Sequence, residues 1–141
     1  MTDRPFPLDF SSFTPDPKPR TWLVLPSDFE ADAEPDETSS WFEADPQTVL
    51  EAFIGAGLDD KRTQLVRREG LQAELMQKSA IFGFRDYITV EAVSSGAGSQ
   101  LAVYSRAMVG HWDMNVNKKR VRAWLDETVS RIGAQALGRA K

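Results

Sequence analysis

The chain contains no cysteine and a single histidine in 141 residues. The first absence excludes disulfides, thiolate metal ligands and a cysteine nucleophile. The second leaves His111 alone, whereas a zinc site needs three or four ligands, and the chain has neither a second histidine nor any cysteine to supply them. Long apolar runs are also missing, and none approaches the roughly 18 residues that a membrane span requires. The opening Met1-Thr2-Asp3-Arg4-Pro5 has neither the basic n-region nor the apolar h-region of a secretory signal. No Gly-x-Ser-x-Gly elbow marks a hydrolase nucleophile. Gly96-Ala97-Gly98-Ser99 has the composition of a phosphate loop, but it lies between two strand-like segments. Phosphate and dinucleotide loops join a strand to a helix, so a long hairpin loop is expected here. Together these absences leave no metal or cofactor in view and place the chain, by expectation, in the cytoplasm.

What is present is globular: 41% hydrophobic and 27% charged residues. At this length one domain is expected, burying about two thirds of its unfolded surface. Charge is divided unevenly. Residues 1–60 hold 14 acids and 3 bases, whereas residues 61–141 hold 7 acids and 14 bases. The expectation is that the two parts pack together and neutralise one another. The pI near 5.0 speaks against a nucleic-acid partner.

Residues 1–20 carry Pro5, Pro7, Pro15, Pro17 and Pro19 with Phe6, Phe10 and Phe13 between them. Proline fixes φ and lacks an amide donor, so this is an extended arm whose aromatics suit packing against the domain. Thr21–Leu25 reads as a short edge strand and the acidic stretch 27–40 as a solvated loop. Asp45-Pro46 opens a helix that carries Val49, Leu50, Phe53 and Ile54 on one side and stops near Gly55 or Gly57. Four strands follow at 64–68, 71–77, 87–93 and 101–105, the first two around the Glu69-Gly70 turn signal. In the second, Leu71, Ala73 and Leu75 alternate with Gln72 and Glu74, which predicts one buried face. A last helix over 118–132 places Val121, Trp124, Leu125, Val129 and Ile132 on one stripe. The fold class is therefore α+β: a four-stranded antiparallel sheet with both helices on one face. The domain spans 21–133, and 134–141 forms a frayed tail.

The stretch between the last strand and the last helix is the densest in polar side chains. Ser105, Arg106, Gly110, His111, Asp113, Asn115, Asn117, Lys118 and Arg120 lie there. Lys118, Lys119, Arg120 and Arg122 crowd the start of a helix, where positive charge opposes the macrodipole. Free first-turn amides with such bases suit a bound anion or an acidic segment of the chain itself. Asn117 is the expected N-cap, with Asn115 the other candidate, and Asp113 is expected to accept backbone amides within the 110–117 turn.

The same residues resemble an uncharacterised, mainly bacterial family, domain of unknown function 1499. Its pattern Ser-Arg-x-Gly-x-Ser-Asp-x-Gly-x-Asn, followed by a basic helix start, is matched by Val109-Gly110, Asp113, Val116-Asn117 and Arg120. Met108, Trp112 and Asn115 depart from it, standing where the family has arginine, serine and glycine. Ser79-Ala80-Ile81-Phe82-Gly83-Phe84-Arg85-Asp86 is similar to the family's Ser-x-x-Phe-x-Phe-x-Asp approach to a strand. The Trp22–Pro26 run and the Asp45-Pro46 helix fit more loosely. The resemblance implies a stable domain in which the 105–120 loop matters, and it implies no reaction.

The leading expectation is a non-enzymatic binding or accessory module for a small anion or a protein partner, working through the 105–120 loop. An enzyme on an anionic substrate is the alternative, with Asp113 or His111 as acid–base group and Arg106 and Lys118 as clamp. A structural homo-oligomer joined through Trp22, Trp41 and Trp112 is the third.

Overall fold

Asp45 and Pro46 start a helix as their chemistry dictates: the Asp45 carboxylate accepts the Thr48 amide at 2.7 Å. The computed structural model describes residues 4–140, with side chains through Gly133. Its elements are β1 (Thr21–Leu25), β2 (Glu37–Thr38), α1 (Pro46–Leu58), β3 (Thr63–Glu69), β4 (Gln72–Lys78), β5 (Arg85–Ser95), β6 (Gly98–Ala107) and α2 (Val116–Ala140). The expected fraying over 134–141 falls on side chains outside those described. Helix α1 runs through both glycines instead of stopping at them. At Gly57 a Cβ would come within 2.8 Å of Leu75 and 3.1 Å of Trp124, so the missing side chain lets α1 approach β4 and α2 closely.

The sheet has six strands in the order β2-β1-β6-β5-β4-β3, not four. The four expected strands are antiparallel neighbours, but β1 joins β6 antiparallel and β2 joins β1 in parallel, which makes the sheet mixed. β1 is thus an interior strand. Its continuous apolar run is the reason, since Trp22 and Val24 face the helices while Leu23 and Leu25 face the other side. β2 is two residues inside the acidic 27–40 stretch, too short to leave a periodic signal. The expected long loop at 94–99 is a tight turn, because β5 and β6 stay paired as far as Ser95 and Gly98.

Both helices lie on one face. The main core joins Val49, Leu50 and Phe53 of α1 and Val121, Trp124 and Leu125 of α2 to alternate strand residues such as Leu75, Ile88, Val90, Leu101 and Val103. The opposite face is covered too. Leu8 and Phe10 of the arm form a second cluster with Leu23, Leu25, Ala102 and Tyr104, and Phe29, Ala31 and Ala33 pack against it. This corrects the one-buried-face reading of β4: Gln72 and Glu74 are buried, whereas Leu71 is exposed in the preceding turn. Acids of the first sixty residues do meet bases of the second half, in the pairs Glu51–Arg68, Glu37–Arg122 and Asp59–Arg131.

Among the described residues no helix is long and apolar enough to cross a membrane. No group of three or more His, Asp or Glu among them is placed to hold a metal ion.

Candidate functional site

Strand alternation divides the predicted site in two. Ser105 points to the helix face, and Arg106, one residue on, points to the arm. On the helix face, Ser105 Oγ donates to Asn117 Oδ1 at 2.5 Å. Arg120 donates to Asn117 Oδ1 at 2.6 Å, to Ser105 Oγ at 3.1 Å, to Gln77 at 2.6 Å and to Asp86 at 2.7 Å. Asn117 Nδ2 in turn donates to Asp113 and to the Arg20 carbonyl. Burial raises the Asp86 carboxyl above the usual range despite the attraction of Arg120. Every buried side-chain polar atom among the described residues has a partner. This network ties β4, β5, β6 and α2 together.

Asp113 performs the capping expected of Asn117. Its carboxylate accepts the Asn115 and Asn117 amides, each at 2.9 Å, as the reading of the 110–117 turn anticipates for an Asp. At the start of α2 the Asn117 amide is thus taken by the Asp113 carboxylate and the Val116 amide by the Asp113 carbonyl. Met114 and Asn115 take left-handed backbone angles, φ 56° and 64°, and asparagine tolerates that region well. His111 is exposed; Asp113, Asn115 and Lys118 line one cavity with Trp22 and Trp112, whereas Arg106 lines another on the arm face. Trp22 is half-buried with its indole N–H on Glu37, whereas Trp41 and Trp112 are exposed.

We expect Asp113→Ala to keep the fold while losing about 1–2 kcal/mol, the scale of a lost cap. Amide exchange at Asn115 and Asn117 should accelerate, and Asp113→Asn should restore part of the protection. Exchange rates equal to the parent's in the alanine variant would exclude this role.

The arm face holds a second cluster that sequence reasoning missed. Glu74 is fully buried; its carboxylate accepts from Arg4 Nε and Arg67 Nε, both at 2.9 Å, and from Arg106 Nη2 at 3.4 Å. Arg106 also donates to Thr89 Oγ1 at 2.8 Å and to the Tyr104 carbonyl at 3.1 Å. Burial pushes the Arg106 guanidinium down to about 10, partly offset by Glu74, so it stays charged at neutral pH. Beside this cluster lies a cavity of about 360 Å³ between arm and sheet. Pro5, Leu8, Phe13 and Met108 form its apolar wall, and Arg4, Arg20, Arg106, Asp16 and Tyr104 its polar one. Burial opposes ionisation of Asp16, but the Lys18 amide and Arg20 outweigh it and hold its carboxyl below the usual range. A signal for this face was present in the sequence: both alternating sets of Trp22–Leu25 are apolar, which asks for cover on both sides.

A family model described as "Protein of unknown function (DUF1499)" matches residues 7–127. The chain belongs to this family. The DUF1499 match takes in most of the arm and stops within α2, so the arm face is part of what the family model describes. Of the residues that carry the DUF1499 resemblance, Asp86, Asp113, Asn117 and Arg120 are joined in the helix-face network. A crystal structure of TTHA0849 from Thermus thermophilus is similar at 13% identity and a TM-score of 0.43, covering 69% of this chain and 95% of that one. That likeness is too distant to carry anything over. No curated protein matches the chain.

Proposed function

We propose that this DUF1499 domain is a binding module for a small amphipathic anion, held in the cavity between the arm and the sheet. The supporting observation is the lining of that cavity, arginines beside apolar side chains. Among the described residues its lining carries Arg4, Arg20 and Arg106 together with Asp16, beside a wall of Pro5, Leu8, Phe13 and Met108, and buried Glu74 pairs with Arg4 and Arg106. Several guanidinium groups next to apolar surface suit a ligand with an anionic head and a hydrocarbon body. The volume, about 360 Å³, lies within the range of small-molecule sites. Of the 105–120 loop, Arg106 and Met108 contribute to this wall, while Ser105, Asp113, Asn117 and Arg120 hold the loop in place.

Titration with octanoate, with octanol as the neutral control, tests the proposal by amide NMR. Octanoate is expected to shift residues 4–20 and 104–108, with Arg106→Gln weakening it about tenfold, the scale of one charged hydrogen bond. Glu74 keeps Arg4 and Arg67 as partners in that variant, which protects the fold. Equal affinity for octanol, or no shift of those residues at millimolar octanoate, would overturn the reading.

A further inference from the structure

The end of the sheet where β4 stops, β5 starts and β6 stops presents large apolar side chains to solvent. Lys78 pairs with Arg85 and Asp86 with Ala107, so the 79–84 and 108–115 loops leave from neighbouring strand ends. They share a cavity lined by Gly83, Phe84, Met108 and Val109. Ile81 is 84% exposed, Phe82 74% and Trp112 59%. The first loop is held in shape. The Ser79 amide donates to the Phe84 carbonyl at 2.9 Å, the Phe84 amide donates to the Ser79 hydroxyl at 3.0 Å, and Phe82 stacks on Phe84 at 5.3 Å. An ordered loop with isoleucine and phenylalanine at its tip gains nothing from water, and exposed apolar clusters of this kind mark docking surfaces.

The surrounding charge selects the occupant. Lys61, Arg62, Lys78 and Arg85 are all exposed at this end, at the β3 start and on both shoulders of the 79–84 loop. The acids nearest to them are already engaged: Asp59 with Arg131, Asp60 with the Trp124 indole, Asp86 with Arg120 and Asp113 with the α2 cap. The acid-rich 26–36 segment leaves β1 at Leu25 and returns beside it, so that Asp36 accepts the Leu23 amide at 2.8 Å. This end therefore combines apolar tips with exposed bases, while Asp16, Asp36 and Asp113 lie to one side of it in the cavity that Trp112 flanks. Bases ringing aromatic and aliphatic tips are the pattern of an interfacial anchor on anionic lipid. We infer that this end of the domain docks on an anionic membrane surface, inserting Ile81 and Phe82 with Trp112 at headgroup depth.

Flotation with vesicles tests this directly. The full chain is expected to bind vesicles of equimolar phosphatidylcholine and phosphatidylglycerol and to be released by high sodium chloride. Pure phosphatidylcholine should bind it far less. Lys78→Gln and Arg85→Gln should each weaken binding about fivefold, as loss of one base near such a surface does. Phe82→Ser should weaken it further, and brominated lipid should quench fluorescence that Trp112→Phe removes. All four positions are exposed, so folding is preserved in each variant, which circular dichroism checks. The inference is overturned if the parent floats with neither vesicle, or if Phe82→Ser floats like the parent. It is equally overturned if sedimentation shows a dimer that Phe82→Ser dissociates while vesicles bind nothing, since a second copy would then cover this face.

Discussion

Glu74→Ala is expected to lower the unfolding free energy by about 3–5 kcal/mol, because it leaves buried guanidinium charge without its counter-charge. Glu74 is fully buried and receives three arginines, of which Arg106 is itself only 7% exposed. Arg4 and Arg67 are less buried and can turn toward water, whereas Arg106 is hemmed in by Thr89 and Tyr104. The loss should also loosen the arm, since Arg4 belongs to it and Arg67 donates to the Arg4 carbonyl at 2.8 Å. Urea unfolding measures the cost, and hydrogen exchange over residues 4–20 reports the arm. Glu74→Leu combined with Arg106→Met should recover most of the stability, since a matched apolar pair removes both charges together. An alanine variant with the parent's urea midpoint would show that Glu74 does not hold this face.

Trp124→Ala is expected to cost about 3–5 kcal/mol, the range for an emptied aromatic site in a core. Trp124 is 2% exposed, packs edge-on against Phe53 at 5.8 Å between ring centres, and abuts the backbone of α1 at Gly57. Its indole N–H donates to Asp60 at 2.9 Å. Burial opposes ionisation of Asp60, but that bond and the Lys61 amide outweigh it and hold the carboxyl below its usual range. Trp124→Phe keeps most of the packing and gives up that hydrogen bond, so a loss of about 1 kcal/mol or somewhat more should separate it from alanine. The urea midpoint of each variant makes the comparison. An alanine variant that unfolds with the parent would remove Trp124 from the core.

Elements with strong local chemistry were legible in the sequence. The Asp45-Pro46 start of α1, the hairpin turn marked by Gly70 (at Gly70-Leu71, one residue on from the expected Glu69-Gly70), the period-2 strands and the Val121–Leu125 stripe of α2 each rest on residues a few positions apart, and such signals survive without tertiary context. That Asp113 accepts backbone amides of its turn was readable for the same reason, although the cap itself was expected at Asn117. What covers each face of the sheet was decided only by contacts across the chain. Gln72 and Glu74 look solvent-facing beside Ala73 and Leu75, and they become buried because an arm some 64 residues earlier, bonded from Leu8 to Gln72, lies over them. Arg106 and Ser105 are adjacent in sequence yet serve opposite faces, so a site drawn along the chain is cut in two by the pleat. β2 pairs with β1 through two residues whose composition reads as loop, and only the register against Val24 and Leu25 makes them a strand. Local patterning thus determined which segments are helix or strand, whereas long-range packing decided which polar groups are buried together.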